Sequence, residues 1–277
     1  MNNVVVQPQN PFMTDAFARV YEETGERITG QAARAALELV GSIGPGQKVL
    51  DLGAGTGALA IPAARLGALV SAVDIAPGMI RRLSKNVAGL PNVDALEMDG
   101  TNLDFPEGHF DATFSVFGLI TFQDWRKGLN QQFRVTRPGG KGCVVTWGNA
   151  VGGGPFEVMA TAISNVFPDR IPMPKPEAFV ALGNTTQFIS EMESAGFEDV
   201  SVTKIDCYWE GPSGEAYLAL LRELHNYMRP YQTLSLEEKA LVDAEIAALT
   251  SSRAVQGKIK LSSPVLIAIG QRPLAGQ

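Results

Sequence analysis

A doubly wound α/β fold, with seven mostly parallel strands and helices on both faces, is what this 277-residue sequence predicts. Three observations carry the prediction. Short apolar runs alternate with amphipathic stretches from residue 48 to residue 147, the rhythm of right-handed βαβ units. A glycine-rich turn, GAGTG at 53–57, follows the first of those runs directly. The length suits one core near the roughly 250–300-residue limit, with insertions or a small cap. At 45% hydrophobic and 19% charged residues the chain is too apolar for disorder.

Residues 1–12 are polar and proline-punctuated, and read as an arm over the surface. Phe17, Val20, Tyr21, Ile28, Ala32, Ala36, Leu37 and Val40 recur at helical spacing, and a break at Thr24-Gly25 divides the stretch into two helices. Gly44, Pro45 and Gly46 end the second. Strands are then expected at 48–52, 69–75, 93–99, 110–117 and 142–147, with helices at 58–66, 77–88 and 125–135 and a turn at 137–141. The proline-rich stretch 150–185 reads as an insertion. A helix at 185–195, a strand at 199–207, two helices at 213–228 and 235–250, and a last strand at 264–270 complete the chain. The last two strands should pair, so the helices between them must cap the edge of the sheet. The expected organisation is a helical lid (1–45), a cofactor-binding core (46–150), the rest of the sheet with helical cap insertions at about 150–185 and 210–262 (151–270), and a tail (271–277).

The composition excludes several classes of function. A net charge of −6 argues against nucleic acid, whose binders cluster Lys and Arg. The longest apolar stretch, Ala58 to Val73, is interrupted by Pro62 and Arg65 and is shorter than the ~20 residues of a membrane span. The first twelve residues lack the basic and apolar regions of a signal peptide. Two cysteines, Cys143 and Cys207, make neither a disulfide framework nor a metal site. The expectation is a cytoplasmic protein with no metal and no membrane partner, monomeric or homodimeric, acting on a small molecule.

VLDLGAGTG (49–57) is the informative motif. A parallel strand ending in glycines presents bare backbone N–H groups and a helix N-terminus to a ligand. The spacing is G-x-G-x-G, with Ala58 where dinucleotide-binding loops carry their third glycine. Asp74 ends the next strand, where a carboxylate accepts ribose hydroxyls. Asp99-Gly100 ends the third strand, and Ser115-Val116-Phe117 ends the fourth. Two acids and a glycine turn thus converge on one switch point.

With VDIAPGMI (73–80), EMDGTNLDFPEGHFD (97–111) and RVTRPGGKGCVVTW (134–147), the glycine motif resembles the ordered motifs of class I S-adenosylmethionine-dependent methyltransferases. Among them the sequence is most similar to the group of ubiquinone/menaquinone-biosynthesis (methyltransferase type 11) and natural-product methyltransferases. The resemblance is strong over 48–147 and weaker over 155–270. It implies a Rossmann-like core beneath an N-terminal lid and a cap inserted before the last strand. It also implies roles. Gly53, Ala54, Gly55 and Gly57 line the methionine moiety; Asp51 organises the turn and reaches the amino group through water. Asp74 holds the ribose, and Ile75 and Met79 flank the adenine. Asp99 and the Gly100 N–H read the adenine edge, and the Ser115 carbonyl takes the ammonium. Met98-Asp99-Gly100 departs from the usual Gly-Asp-Ala of the family but keeps the acid.

Tyr21, Phe117, Trp147 and His225 are candidates to line the acceptor pocket, and His225 is the one imidazole suited to act as a base. Each also has a plain structural reading as a packed or surface residue. His109 is expected in an exposed turn, Tyr208 and Trp209 in cap packing, and both cysteines as inert core thiols. The expected reaction is an in-line displacement at a sulfonium methyl, driven by positioning and exclusion of water. The fourth strand ends SVFGLI (115–120), with no tetrad marking an amino or nucleobase acceptor. A small, partly apolar metabolite such as a quinone-like phenol or another secondary metabolite is expected, methylated preferentially on oxygen, with carbon or nitrogen as alternatives. Two further readings stand beside this one: a cyclase- or isomerase-like enzyme that binds the same cofactor, and a nicotinamide-dependent oxidoreductase.

Overall fold

Val49 to Leu52 are buried without alternation, as befits a strand covered on both faces. This strand, β1 (Lys48–Leu52), lies in the interior of the sheet in the computed structural model, which describes residues 13–149 and 152–274. The arm expected at 1–12 and the last residues of the expected tail fall outside the described range. Around β1 stand β2 (Leu69–Asp74), β3 (Val93–Glu97), β4 (Phe110–Val116), β5 (Thr136–Trp147), β6 (Glu198–Pro212) and β7 (Lys258–Gln271), in the order β3-β2-β1-β4-β5-β7-β6. β1 pairs parallel with β2 and β4, so the order reverses there, while β7 runs antiparallel to both β5 and β6. The result is the doubly wound α/β sheet the sequence predicts, with a switch point at the carboxyl ends of β1 and β4.

Helices α1 (Asp15–Thr24) and α2 (Glu26–Val40) meet at Gly25, the break expected from the sequence. They part company in function. α1 lies against α4 (Pro77–Asn86), and Thr14 caps it by accepting the Phe17 N–H. α2, with Ile28, Ala32, Ala33, Ala36, Leu37 and Val40 buried, packs on β5, β6 and β7 and is a layer of the fold. Among the described residues of the two helices, α1 and the first turn of α2 approach the crevice. On the opposite face lie α5 (Trp125–Val135) and α8 (Thr185–Ser194). Adjacent residues of β5 show the division: the Lys141 ammonium donates to the Val40 carbonyl of α2, whereas Gly142 lies under Phe197, which meets Phe133 of α5 edge to face at 5.1 Å.

The stretch 150–185 carries two helices, α6 (Pro155–Val166) and α7 (Glu177–Leu182); Gly154 at φ +57° turns the chain and Pro155 then serves as the first helical residue. Two expectations are corrected. The turn expected at 137–141 is the irregular first half of β5, where the Gly139 N–H donates to the Arg272 carbonyl and the Arg272 N–H to Gly140. His109 is half-buried, stacked on Phe105 at 6.0 Å and set edge-on to Phe110 at 4.8 Å.

β6 and β7 also exceed the expected lengths. They stay paired from Glu198–Gln271 to Pro212–Lys258, although β5 ends opposite Val265. Residues 207–212 and 258–263 therefore project as a two-stranded ribbon. Such a ribbon is marginal alone. Its inner face of Cys207, Trp209, Ile259, Leu261 and Ser263 is buried against neighbouring helices, among them α2 and α9 (Gly214–Tyr227). The short α10 (Arg229–Gln232) and the longer α11 (Leu236–Ser252), which starts with a Ser235–Glu238 capping box, complete the cap. No helix among the described residues is long and apolar enough to cross a membrane.

Candidate cofactor and acceptor site

After β1 the chain turns through Gly53 (φ +77°), Gly55 (φ +55°) and Gly57 (φ +111°), left-handed backbone that strains any side chain. The N–H groups of Gly53 and Ala54 donate to the Val73 carbonyl at 2.8 and 3.0 Å, fastening the turn to β2. One residue on, Asp74 accepts the Gly55 N–H and the Ala76 N–H, each at 2.9 Å. Asp51, fully buried, accepts the Ala60 N–H of α3 (Ala60–Arg65) at 3.0 Å and braces the turn from below.

The end of β4 closes the other side. The Ser115 hydroxyl donates to the Leu52 carbonyl at 2.9 Å and accepts the Leu119 N–H at 3.0 Å. Phe117 then takes φ +56°, a conformation costly for a bulky residue and concentrated at functional sites. Next to it Gly118 passes so close to the turn that a Cβ would stand 2.5 Å from the Leu52 carbonyl oxygen. The Phe122 ring covers Gly100, where a Cβ would meet it at 2.5 Å.

The last turns of α1 and the first turn of α2 lie over this crevice. The Tyr21 ring passes 3.7 Å from where a Gly55 Cβ would be, and its hydroxyl lies 3.4 Å from Thr29 Oγ1. The Thr56 hydroxyl donates to Glu26, and Glu22 pairs with Arg82. Asn86 donates to Glu22 at 2.5 Å and to the Thr56 carbonyl at 3.0 Å. Burial, reinforced by Asp74 and Glu26, pushes Asp51 up to about 7. Burial likewise raises Asp74, Glu26 and the Tyr21 phenol. Among the described residues no ion pair neutralises Asp51, Asp74 or Glu26. Acids that repel one another in a dry crevice favour a cationic guest.

The remaining candidates fall in several places. Ile75 is exposed beside Asp74, whereas Met79 is buried in α4. Asp99 is exposed, and its Oδ1 accepts the Thr101 N–H at 2.8 Å. The Trp147 ring lies tilted against Phe117 at 4.4 Å and against Phe156 at 6.2 Å, an aromatic wall at the end of β5. His225 sits within the cap, 1% exposed, with its ring 6.1 Å from Tyr217 and 5.8 Å from Tyr231. Burial and then Arg222 hold its pKa down to about 4. Its ring neighbours are cap residues, not those of the glycine turn. Trp209 is fully buried and Tyr208 exposed, while Cys143 and Cys207 are free, buried thiols raised by burial. Glu26, Thr56, Gly118 and Phe122 escape sequence reading. A cavity of about 470 Å³ lined by Lys204, Asp206, Arg253 and Lys260 lies on the ribbon and takes no residue from the turn. No group of three or more His, Cys, Asp or Glu among the described residues is placed to hold a metal.

The sequence profile of the family described as "Methyltransferase domain" matches residues 49–140. A demethylmenaquinone methyltransferase of Corynebacterium urealyticum is 31% identical over 204 residues, covering 68% of this chain and 85% of its own. One from Mycolicibacterium gilvum is 33% identical over 218 residues, covering 68% and 86%. Among solved structures, phosphoethanolamine N-methyltransferase 2 of Haemonchus contortus, in complex with phosphomonomethylethanolamine and S-adenosylhomocysteine, superposes with a TM-score of 0.54 at 19% identity. That likeness covers 88% of this chain and about half (52%) of the other, and it concerns the fold.

Proposed function

The chain belongs to the class I S-adenosylmethionine-dependent methyltransferases, in the group resembling the menaquinone- and ubiquinone-biosynthesis enzymes, and from that premise we propose how it holds its cofactor and what it methylates. S-adenosylmethionine is the cofactor and methyl transfer the activity. The donor set fits this cation: bare glycine backbone, a ring of unneutralised acids, and a strand-end carboxylate. In this assignment Asp74 accepts the ribose hydroxyls while its backbone bonds hold it in place. Gly53, Ala54, Gly55 and Gly57 line the methionine moiety, with Asp51 behind them and the Ser115 carbonyl facing the ammonium. Ile75 and Met79 flank the adenine, and Asp99 and Gly100 read its edge. The single observation that carries the assignment is the Asp74 carboxylate, pinned at 2.9 Å by one N–H from the turn and one from its own strand end.

When bound, the cofactor supplies an electrophilic sulfonium methyl. What the chain adds is orientation and dryness. Tyr21 closes over Gly55, and Phe117 and Trp147 form an aromatic wall against which a flat acceptor can lie. Bringing the reactants together in this way lowers the barrier without an obligatory base. We assign His225 to the acceptor pocket as a neutral imidazole. With its pKa near 4 it accepts hydrogen bonds well and removes protons poorly.

The acceptor in this reading is a small hydroxylated aromatic ring, methylated on oxygen. Transfer to a ring carbon is the second reading, supported by the name demethylmenaquinone methyltransferase carried by the relatives. Incubation with S-adenosylmethionine and hydroxynaphthalenes, followed by mass spectrometry and NMR of the product, tests both. An O-methyl signal is expected, and a ring C-methyl signal favours the second reading. Consumption of the aromatic with no gain of methyl refutes both in favour of a non-methylating reaction.

A further inference from the structure

Three carboxylates from three elements take their hydrogen bonds within residues 55–60, the end of the glycine turn and the start of α3. Asp74 of β2 accepts the Gly55 N–H at 2.9 Å, Glu26 of α2 accepts the Thr56 hydroxyl, and Asp51 of β1 accepts the Ala60 N–H at 3.0 Å. The elements packed around them bring no free cation. α1 supplies the Tyr21 phenol and Glu22, and α4 supplies Arg82 and Asn86, both of which are bonded to Glu22. Among the described residues none of the three acids belongs to an ion pair.

Such a set does not ionise completely, because like charges away from water hold protons on one another. Asp74 is best placed to keep its charge, since the Gly55 and Ala76 N–H groups both donate to it at 2.9 Å. Asp51 has the Ala60 N–H alone and is 1% exposed. Burial, with Asp74 and Glu26 adding to it, raises Asp51 to about 7. Glu26 is raised by its own burial and by Glu22, against the Thr56 hydroxyl and Arg82. In the cofactor-free protein the set therefore keeps a proton up to neutral pH, and keeps it chiefly on Asp51.

Methyl transfer changes the charge at this place. The S–CH3 bond breaks and leaves its electron pair on sulfur, the methyl bonds to the acceptor, and the acceptor's hydroxyl or ring C–H gives up a proton. One cation is thus replaced by a neutral thioether and a proton. Resting on the cofactor assignment above, we propose that Asp51, Glu26 and Asp74 together form a proton store that balances this charge: the set releases a proton to solvent when the sulfonium enters and takes one up when methyl transfer removes it. The chemical step then frees no net proton from the protein, and the proton leaves when product cofactor is exchanged for donor. Asp51 and Glu26 act here through their charge and draw no proton from the acceptor directly. The balance is the same for an oxygen or a ring-carbon acceptor.

Calorimetric titration at pH 6.5 in phosphate, PIPES and bis-Tris tests this, because the dependence of the observed enthalpy on the buffer's ionisation enthalpy counts the protons released. S-adenosylmethionine and S-adenosylhomocysteine share their ammonium and carboxylate, and at this pH the ammonium of both stays protonated. The donor is expected to release roughly half a proton or more beyond the product, and its affinity relative to the product should rise about tenfold between pH 5.5 and 7.5. Asp51→Asn should bring the proton count for the donor down to that of the product. Glu26→Gln, an independent second case, should lower it part of the way. A merely structural defect weakens both ligands without moving these counts. Equal counts for the two ligands, or a donor count indifferent to both substitutions, overturns the inference and leaves the methyltransferase assignment standing. Failure of the wild-type protein to bind either ligand would overturn the underlying reading as well.

Discussion

Replacing Asp51 by Asn should stabilise the cofactor-free protein at high pH, and the sign follows from the structure. Asp51 has an ordinary pKa of 3.8 and is raised to about 7 by burial, with Asp74 and Glu26 adding to it. Between those values the folded chain holds a proton there that the unfolded chain has released. Stability therefore falls as pH rises across that window and levels off above about 7. Three pH units at about 1.4 kcal/mol each make this roughly 4 kcal/mol of strain carried by the ionised form. An Asn side chain can still accept the Ala60 N–H, now bonded to Asp51 Oδ2 at 3.0 Å, without carrying the charge. Its NH2 group enters a fully buried position, at a cost of about 1–3 kcal/mol if unpaired. The net expectation is a gain of about 2 kcal/mol at pH 8.5, or roughly 4–8 °C in melting temperature for a chain of this size. At pH 5.5, where Asp51 is protonated, the gain disappears or reverses. The assay is thermal unfolding at both pH values, with and without S-adenosylmethionine. The variant should also lose most of the stabilisation the cofactor confers, since a cation no longer meets that charge. A variant equally destabilised at both pH values would refute the reasoning.

Three other changes probe the same crevice. Asp74→Ala removes the acceptor of two backbone N–H groups and the proposed ribose contact, so calorimetry should show cofactor affinity falling about 100-fold or more, equivalent to ~2.7 kcal/mol. Gly118→Ala places a Cβ 2.5 Å from the Leu52 carbonyl, where no side chain can yield; overpacking of about 1–3 kcal/mol should lower the melting temperature by several degrees and weaken cofactor binding with it. Glu26→Gln keeps an acceptor for the Thr56 hydroxyl but removes one of the unneutralised acids. The preference for S-adenosylmethionine over S-adenosylhomocysteine, which lacks the sulfonium charge, should then fall about tenfold, measured as a ratio of dissociation constants.

The sequence announces features that a single residue type enforces. Gly53, Gly55 and Gly57 are legible because positive φ at three alternate positions admits little else, and Asp74 because a strand end two residues from a helix start has one geometry. The start of α6 is hidden because glycine and proline mark loops on average, whereas here Gly154 turns the chain and Pro155 begins the helix. The length of β6 and β7 is hidden because a ribbon half-open to solvent carries exposed Tyr208, Glu210 and Lys260 between its buried residues and so resembles a loop. Glu26 illustrates the harder loss. At the start of a helix it reads as a dipole-matching acid, and only the fold brings it to Thr56, thirty residues on. His225 stands out in sequence as a rare imidazole, yet its surroundings come from α9 and the tyrosine that follows it and decide that it stays neutral.

The first turn of α2 unites the two halves of the proposed site. Glu26 bonds the glycine turn through Thr56, and Thr29, one turn later, meets the Tyr21 hydroxyl above the same turn. Between them Ile28 points the other way, into the space shared by Gly154, Ser263 and Trp209 at the edge of the cap. Arg27 reinforces that side, its guanidinium over the Trp209 ring at 5.5 Å and bonded to the Glu210 carbonyl at 2.9 Å. Glu26 and Thr29 thus face the glycine turn, while Ile28 and Arg27 of the same helical turn face the ribbon. A helix is stiff along one turn, so a substitution that displaces Arg27 or Ile28 should also be felt at Glu26: Arg27→Ala, which removes the bond to the Glu210 carbonyl and the contact with the Trp209 ring, is expected to weaken S-adenosylmethionine binding a few-fold by calorimetry, and an unchanged isotherm would show that the two sides of the turn act independently.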